Sequence, residues 1–209
     1  MNYHNITYPD MNNGEGLRVV LWLSGCSHKC KGCQNPQTWD ASSGITFDES
    51  VKEELFRELD KDYISGLTLT GGDPLFENNL DGVLDLVTEV NKRYNTTQYI
   101  DRDTQEDHNM LNANANEIRL SSPQKTIWLY SGYTWEQLFE DDVFDIKEGI
   151  CKNQKRRAII LSSNVFIDGQ YIDSQRDITL PYRGSKNQRL IDIQKSLQKG
   201  EIVLWQIQL

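Results

Sequence analysis

Leu17-Arg-Val-Val-Leu-Trp-Leu-Ser-Gly-Cys-Ser-His-Lys-Cys-Lys-Gly-Cys33 joins a short apolar run to three closely spaced cysteines. The run Leu17–Leu23 is rich in β-branched and large apolar residues. It is opened by Gly14 and Gly16 and closed by Gly25, which predicts a buried strand. Cys26, Cys30 and Cys33 follow at once in the pattern C-x3-C-x2-C. One short loop thus offers three thiolates and no more. Three thiolates can hold three irons of a four-iron cubane and leave the fourth without a protein ligand. An open position on a metal centre is where chemistry takes place, whereas closed sites are structural.

Zinc is the alternative use of these cysteines. Zinc usually takes four N or S ligands, often as two C-x2-C pairs, and this loop has one such pair. His28 or Cys151 would have to complete the set. His28 lies inside the loop and reads as a packing residue or hydrogen-bond donor. Cys151 lies in the basic stretch Lys147–Arg157 and reads as a free thiol.

Outward from the loop, strand and helix patterns alternate. Phe47–Asp60 reads as a helix with Asp48 as N-cap and Val51, Leu55, Phe56 and Leu59 on one face. Leu67–Thr70 reads as a strand stopped by Gly71-Gly72, and Leu80–Tyr94 as a helix with Val83, Leu84 and Val87 inward. Thr126–Ser131 is a strand candidate and Trp135–Phe139 begins a helix. Ala158–Leu161 and Val165–Ile167 are further strand candidates. Such alternation predicts an α/β fold with a parallel sheet and right-handed crossovers. In that class, sites form at the carboxyl ends of strands. The cysteine loop and Thr70-Gly-Gly-Asp-Pro74 each follow a strand directly, so both are expected at one rim. Paired glycines there would let a ligand approach the backbone, and a bulky side chain would block it. In isolation the same stretch reads as a simple turn.

The chain has 209 residues, enough for one domain with a sizeable core. Its formal net charge is −9 and its pI is near 4.8, which argues against nucleic-acid binding through a basic face. Hydrophobic content is 37% and mean hydropathy −0.62, and no apolar run approaches a membrane span of about 18 residues. Met1–Thr7 lacks the basic and apolar regions of a signal peptide. Four cysteines in that setting point to a reducing cytosol and to metal rather than disulfides. Asn95–Gln124 is polar and aperiodic and reads as an insertion.

Several blocks together carry a resemblance. Gly25–Asn35 with Thr38-Trp39, then Leu67–Leu75, Ile127–Thr134, Val165–Gly169 and Arg183–Arg189 occur in order. The chain thereby resembles the radical S-adenosylmethionine (SAM) enzymes, and within them the activating proteins of the anaerobic (class III) ribonucleoside-triphosphate reductase. The superfamily usually places an aromatic residue before the third cysteine; this chain has Gly32, as this activase family does.

The resemblance implies a partial, open (β/α) barrel formed by a single domain over residues 1–209. The insertion at about 95–124 and an unplaced tail at about 193–209 would lie outside that pattern. It implies a [4Fe-4S] cluster on Cys26, Cys30 and Cys33. SAM would pass Gly32, Cys33 and Gln34 with its adenosine, and meet Gly71, Gly72 and Asp73 with its amino group. The product would be a glycyl radical on the large subunit of the reductase, with a flavodoxin-like electron donor in the cytoplasm and neither nucleic acid nor membrane as partner. Arg183–Arg189 reads either as a contact with the surroundings of SAM or the partner, or as a polar turn entering a helix. Two other readings are a radical SAM enzyme acting on a small molecule, of the 7-carboxy-7-deazaguanine synthase type, and a zinc-bound interaction module.

Overall fold

The computed structural model describes residues 1–95, 124–139 and 152–207. Seven strands form one sheet: β1 (Asn2–Asp10), β2 (Leu17–Leu23), β3 (Ile45–Thr46), β4 (Ile64–Gly71), β5 (Thr126–Tyr130), β6 (Val165–Asp168) and β7 (Arg189–Asp192). Their order across the sheet is β3-β1-β2-β4-β5-β6-β7. The four central strands β2, β4, β5 and β6 are parallel, and the flanking pairs are antiparallel. The architecture is a mixed α/β sheet that does not close into a barrel.

The helices are α1 (Glu49–Leu59), α2 (Leu80–Val90), α3 (Trp135–Phe139), α4 (Lys152–Leu161) and α5 (Ile193–Lys199). Asp48 caps α1 as its sequence indicates, its carboxylate accepting from Val51 N at 3.1 Å. The central strands follow each other in one direction across the sheet, so crossovers of one hand put the described helices on the same face. The main core lies there. Val19, Leu21 and Leu23 of β2 and Leu67 and Leu69 of β4 meet Leu55 and Leu59 of α1 and Val83 and Val87 of α2. The other face carries Trp128, Val165, Ile167 and Leu190, with Tyr130, Tyr182 and Trp205 against them.

Arg18 points to this second face and is fully buried. Its guanidinium donates to Thr68 Oγ1, Leu67 O, Thr126 O, Thr126 Oγ1 and Glu15 O, and lies over the Trp128 ring. A buried cation is tolerated when its donors are filled, and four of these five bonds tie β2 to β4 and β5.

Three expectations are corrected. Ala158–Leu161 is the end of helix α4 and not a strand. Four apolar residues fit either element, and packing decides: Ile159 and Ile160 are buried in the helix-side core. The turn after Arg183 enters strand β7, which pairs antiparallel with β6, and not a helix. The tail from residue 193 is placed over its described length. It forms α5, capped by Asp192, then returns so that Asp192 N donates to Val203 O and Trp205 N to Leu190 O. Trp205 thereby meets Trp128 edge to face at 5.8 Å. The polar insertion, apart from its end residues, and Cys151 lie outside the described residues.

Candidate functional site

The parallel strands β2, β4, β5 and β6 end at one rim, and four loops leave from it. The cysteine loop follows β2. It is closed back on itself by Gly25 N to Thr38 O (2.7 Å) and Cys26 N to Trp39 O (3.1 Å). The Gly71-Gly72-Asp73 turn follows β4 and is bonded beneath that loop, with Gly72 N to Leu23 O at 2.7 Å and Asp73 N to Gly25 O at 2.8 Å. Asn79 Nδ2 donates to both Ser24 O and Asp73 O, which pins the two turns together.

Cys26, Cys30 and Cys33 are free thiols, each half-buried. A backbone N–H meets Cys33, where Asn35 N lies 3.4 Å from Sγ. The nearby amides of His28 and Lys29 favour the Cys26 thiolate, and that of Tyr171 the Cys30 thiolate, without outweighing burial. Burial raises the Cys26 thiol above its ordinary range, as does the Asp73 carboxylate. Burial also raises Cys30, helped by the neighbouring Cys33. Metal binding deprotonates thiols, and amide donors aimed at sulfur stabilise the thiolate that results. This donor set fits an iron–sulfur cluster. Among the described residues, no three His, Cys, Asp or Glu side chains converge on a single-ion site.

Asp73 is buried, and its carboxylate is engaged by protein. Oδ1 accepts from Leu75 N (2.8 Å), and Oδ2 accepts from Ser131 Oγ (3.0 Å) and Gly132 N (3.2 Å). His28 Nε2 also lies 2.9 Å from Oδ2, a close contact that is not aligned as a hydrogen bond. With the ring proton on Nε2, His28 Nδ1 accepts from Gln170 Nε2 at 3.2 Å. The His28 ring packs edge-on against Tyr133, 4.6 Å between centroids. One side chain of the cysteine loop thus reaches the loops after β4, β5 and β6.

A cavity of about 430 Å³ opens beside the loop on the second face of the sheet. Cys33, Gln34, Trp22, Thr70, Tyr130 and Tyr182 are among its lining residues. Of the six residues expected around SAM, Cys33 and Gln34 line it. Gly32, at φ 76°, sits where a Cβ would press on Asp173 Oδ1 at 2.9 Å. Gly71 and Gly72 stay partly exposed at the rim, but a Cβ on Gly72 would fall 2.5 Å from Gly25 O and 3.0 Å from Leu23 O. A side chain on Gly72 would thus press on the backbone of the cysteine loop. Trp22 and Tyr130 were not singled out from sequence. The signal was alternation along β2, where Arg18, Val20 and Trp22 share the face opposite Val19, Leu21 and Leu23.

Across the rim, Arg189 of β7 is bonded to both Asp168 and Glu136. Those bonds hold the Glu136 carboxyl down at about 2.

Comparisons with known proteins point the same way. Residues 12–112 and 103–191 match the family described as "4Fe-4S single cluster domain". A protein of Enterobacteria phage T4 is 36% identical over 190 residues, covering 91% of this chain and 93% of its own length. Proteins of Haemophilus influenzae and Escherichia coli K12 are 32% and 30% identical, each covering 90% of this chain and 96% of their own length. All three are named anaerobic ribonucleoside-triphosphate reductase-activating protein.

Proposed function

The chain belongs to the family of anaerobic ribonucleoside-triphosphate reductase-activating proteins, and on that premise we propose that it generates a glycyl radical on such a reductase by cleaving SAM at a [4Fe-4S] cluster. The observation that carries the reading is the cysteine loop itself. Three free thiols of one loop stand at a strand-end rim beside a cavity of about 430 Å³.

Cys26, Cys30 and Cys33 would hold the cluster. SAM would lie along Gly32, Cys33 and Gln34, with the Gly71-Gly72-Asp73 turn closing the site from below. When bound, the cluster and SAM supply a one-electron cleavage giving methionine and a 5′-deoxyadenosyl radical that takes hydrogen from a glycine Cα. The protein's own part is orientation and exclusion of water. The Asp73 carboxylate and the His28 ring hold the cysteine loop in register with the loops after β4 and β5. Trp22, Tyr130 and Tyr182 wall the cavity with aromatic surface.

A partial, open (β/α) barrel is the finer reading of the fold, supported by one-directional order of the central strands with the described helices on one face. A site left open on one side would admit a polypeptide loop bearing the acceptor glycine. The acidic chain, in which no described helix is long and apolar enough to cross a membrane, suits a cytoplasmic setting with a flavodoxin-like donor.

The test mixes reduced, cluster-loaded protein with SAM and an anaerobic reductase from the same source. A doublet in electron paramagnetic resonance, with methionine and 5′-deoxyadenosine as coproducts, is the expected result. Alanine at Cys26, Cys30 or Cys33 should lower bound iron to background and remove the doublet. Competent SAM cleavage with a radical-free reductase would overturn the activase reading in favour of a small-molecule substrate.

A further inference from the structure

We infer that Arg183 is the anion-binding residue of the cavity beside Cys33 and receives a carboxylate from what fills it. The inference rests on the proposed activity only for the choice of carboxylate donor. Among the described residues lining the cavity, Arg183 is the one cationic side chain and none is Asp or Glu. Its Nε is buried and has no hydrogen-bond partner among the described residues. The other arginines at the core and rim are satisfied: Arg18 by five acceptors, Arg156 by Leu75 O, Arg189 by two carboxylates. A buried N–H without an acceptor is costly, so this guanidinium still has hydrogen-bonding capacity to be met, whereas those arginines do not.

The backbone holds Arg183 in place. Tyr182 before it has φ 55°, the left-handed region that aromatic residues rarely adopt. Two contacts hold that conformation: Tyr130 Oη donates to Tyr182 O at 2.8 Å, and the Tyr182 ring packs edge-on to Trp128 at 5.3 Å. Strain of this kind persists where the surroundings over-determine it, and it concentrates at ligand sites. The planar guanidinium fork matches a carboxylate in geometry and charge. In a chain of net charge −9, it also gives an acidic ligand a local point of attraction.

Two carboxylates could arrive here: the amino-acid carboxylate of SAM, or an acidic side chain of an entering polypeptide. Binding measurements on cluster-loaded protein separate them. The probes are S-adenosylhomocysteine, which is not cleaved, its carboxamide, and the purified reductase. If the carboxylate is that of SAM, Arg183→Gln loses about tenfold or more in affinity for S-adenosylhomocysteine, as expected for a charge-assisted hydrogen bond. The variant then binds acid and carboxamide alike, whereas wild type prefers the acid, and Arg183→Lys recovers part of the loss. If it comes from the polypeptide, S-adenosylhomocysteine binding is unchanged and reductase affinity falls about tenfold by the same measure. Iron content and melting temperature equal to wild type show that the site is intact. Should Arg183→Gln fail to hold the cluster, Arg183→Lys, which keeps the charge and loses the fork, is read against wild type in the same way. Wild-type affinity of an intact variant for both S-adenosylhomocysteine and the reductase would overturn the inference. No arm needs turnover, so a reductase that stays radical-free tests the proposed activity and leaves this inference standing.

Discussion

His28 Nε2 stands 2.9 Å from Asp73 Oδ2, and this contact joins the two strand-end loops that make the site. His28 sits between Cys26 and Cys30 in sequence, and Asp73 ends the glycine turn. Removing Asp73 leaves Leu75 N and Gly132 N without their acceptor. Asp73→Ala is therefore expected to cost about 2–4 kcal/mol, since donors to a charged group are left buried and unpaired. His28→Ala should cost about 1–3 kcal/mol through lost packing on Tyr133. Urea unfolding of the cluster-free protein checks both, and unchanged midpoints would show that the two loops are held by other means.

Gly72 gives a sharper test, because its Cβ direction is known. A side chain there would strike Gly25 O and Leu23 O, both backbone atoms that cannot swing aside. Gly72→Val is expected to displace the cysteine loop, so bound iron falls together with SAM affinity. A variant that keeps full iron and loses only SAM would show that the ligand, and not the loop, needs the glycine.

The ends of the polar insertion are bonded to each other. Asn95 Nδ2 donates to Lys125 O at 3.0 Å, and Lys125 N donates to Asn95 Oδ1 at 3.1 Å. Lys125 is further fixed by its ammonium donating to Lys61 O and Ile64 O. The chain leaves and re-enters the fold at one point, so the span between needs no particular length to close it. Replacing residues 97–122 with a short Gly-Ser linker is expected to leave folding and iron content unchanged, since loop length alters closure entropy by only about 0.6 kcal/mol per doubling. Insoluble protein on expression would count against this.

Stability in acid should register the Glu136–Arg189 pair. Its bonds to Arg189 lower the Glu136 carboxyl to about 2 in the folded state, below its ordinary value of 4.5. The stabilisation is complete above the unfolded value and is lost as pH falls from about 4.5 toward 2. Glu136 is 40% exposed, so solvent screening limits the effect to roughly 0.5–1 kcal/mol. Glu136→Gln should show a correspondingly shallower loss of urea stability between pH 4.5 and 3. An identical slope in wild type and variant would show the pair to be energetically silent.

Local chemistry was legible in the chain. The three cysteines, the glycine turn and the Asp48 cap can be read from spacing, because each depends on neighbours within a few residues. The strand Leu17–Leu23 and the helix faces of α1 and α2 followed from periodicity. β1 and β7 are not legible in the chain because strands that flank the parallel centre gain their identity from the strands they pair with. The run Ala158–Leu161 was ambiguous for the same reason.

What the sequence alone determined is the donor set: three thiolates in one loop after one strand, and a glycine turn after the next. What only the tertiary structure decided is what those groups meet. Asp73 turns inward to brace His28, Ser131 and Gly132. Arg183 Nε has no partner among the described residues, while Arg189, in the same polar stretch, has two carboxylates. The physical reason is range. Spacing fixes which groups a loop can offer, but burial and hydrogen-bond satisfaction depend on residues 50 or more positions away, brought together by the sheet.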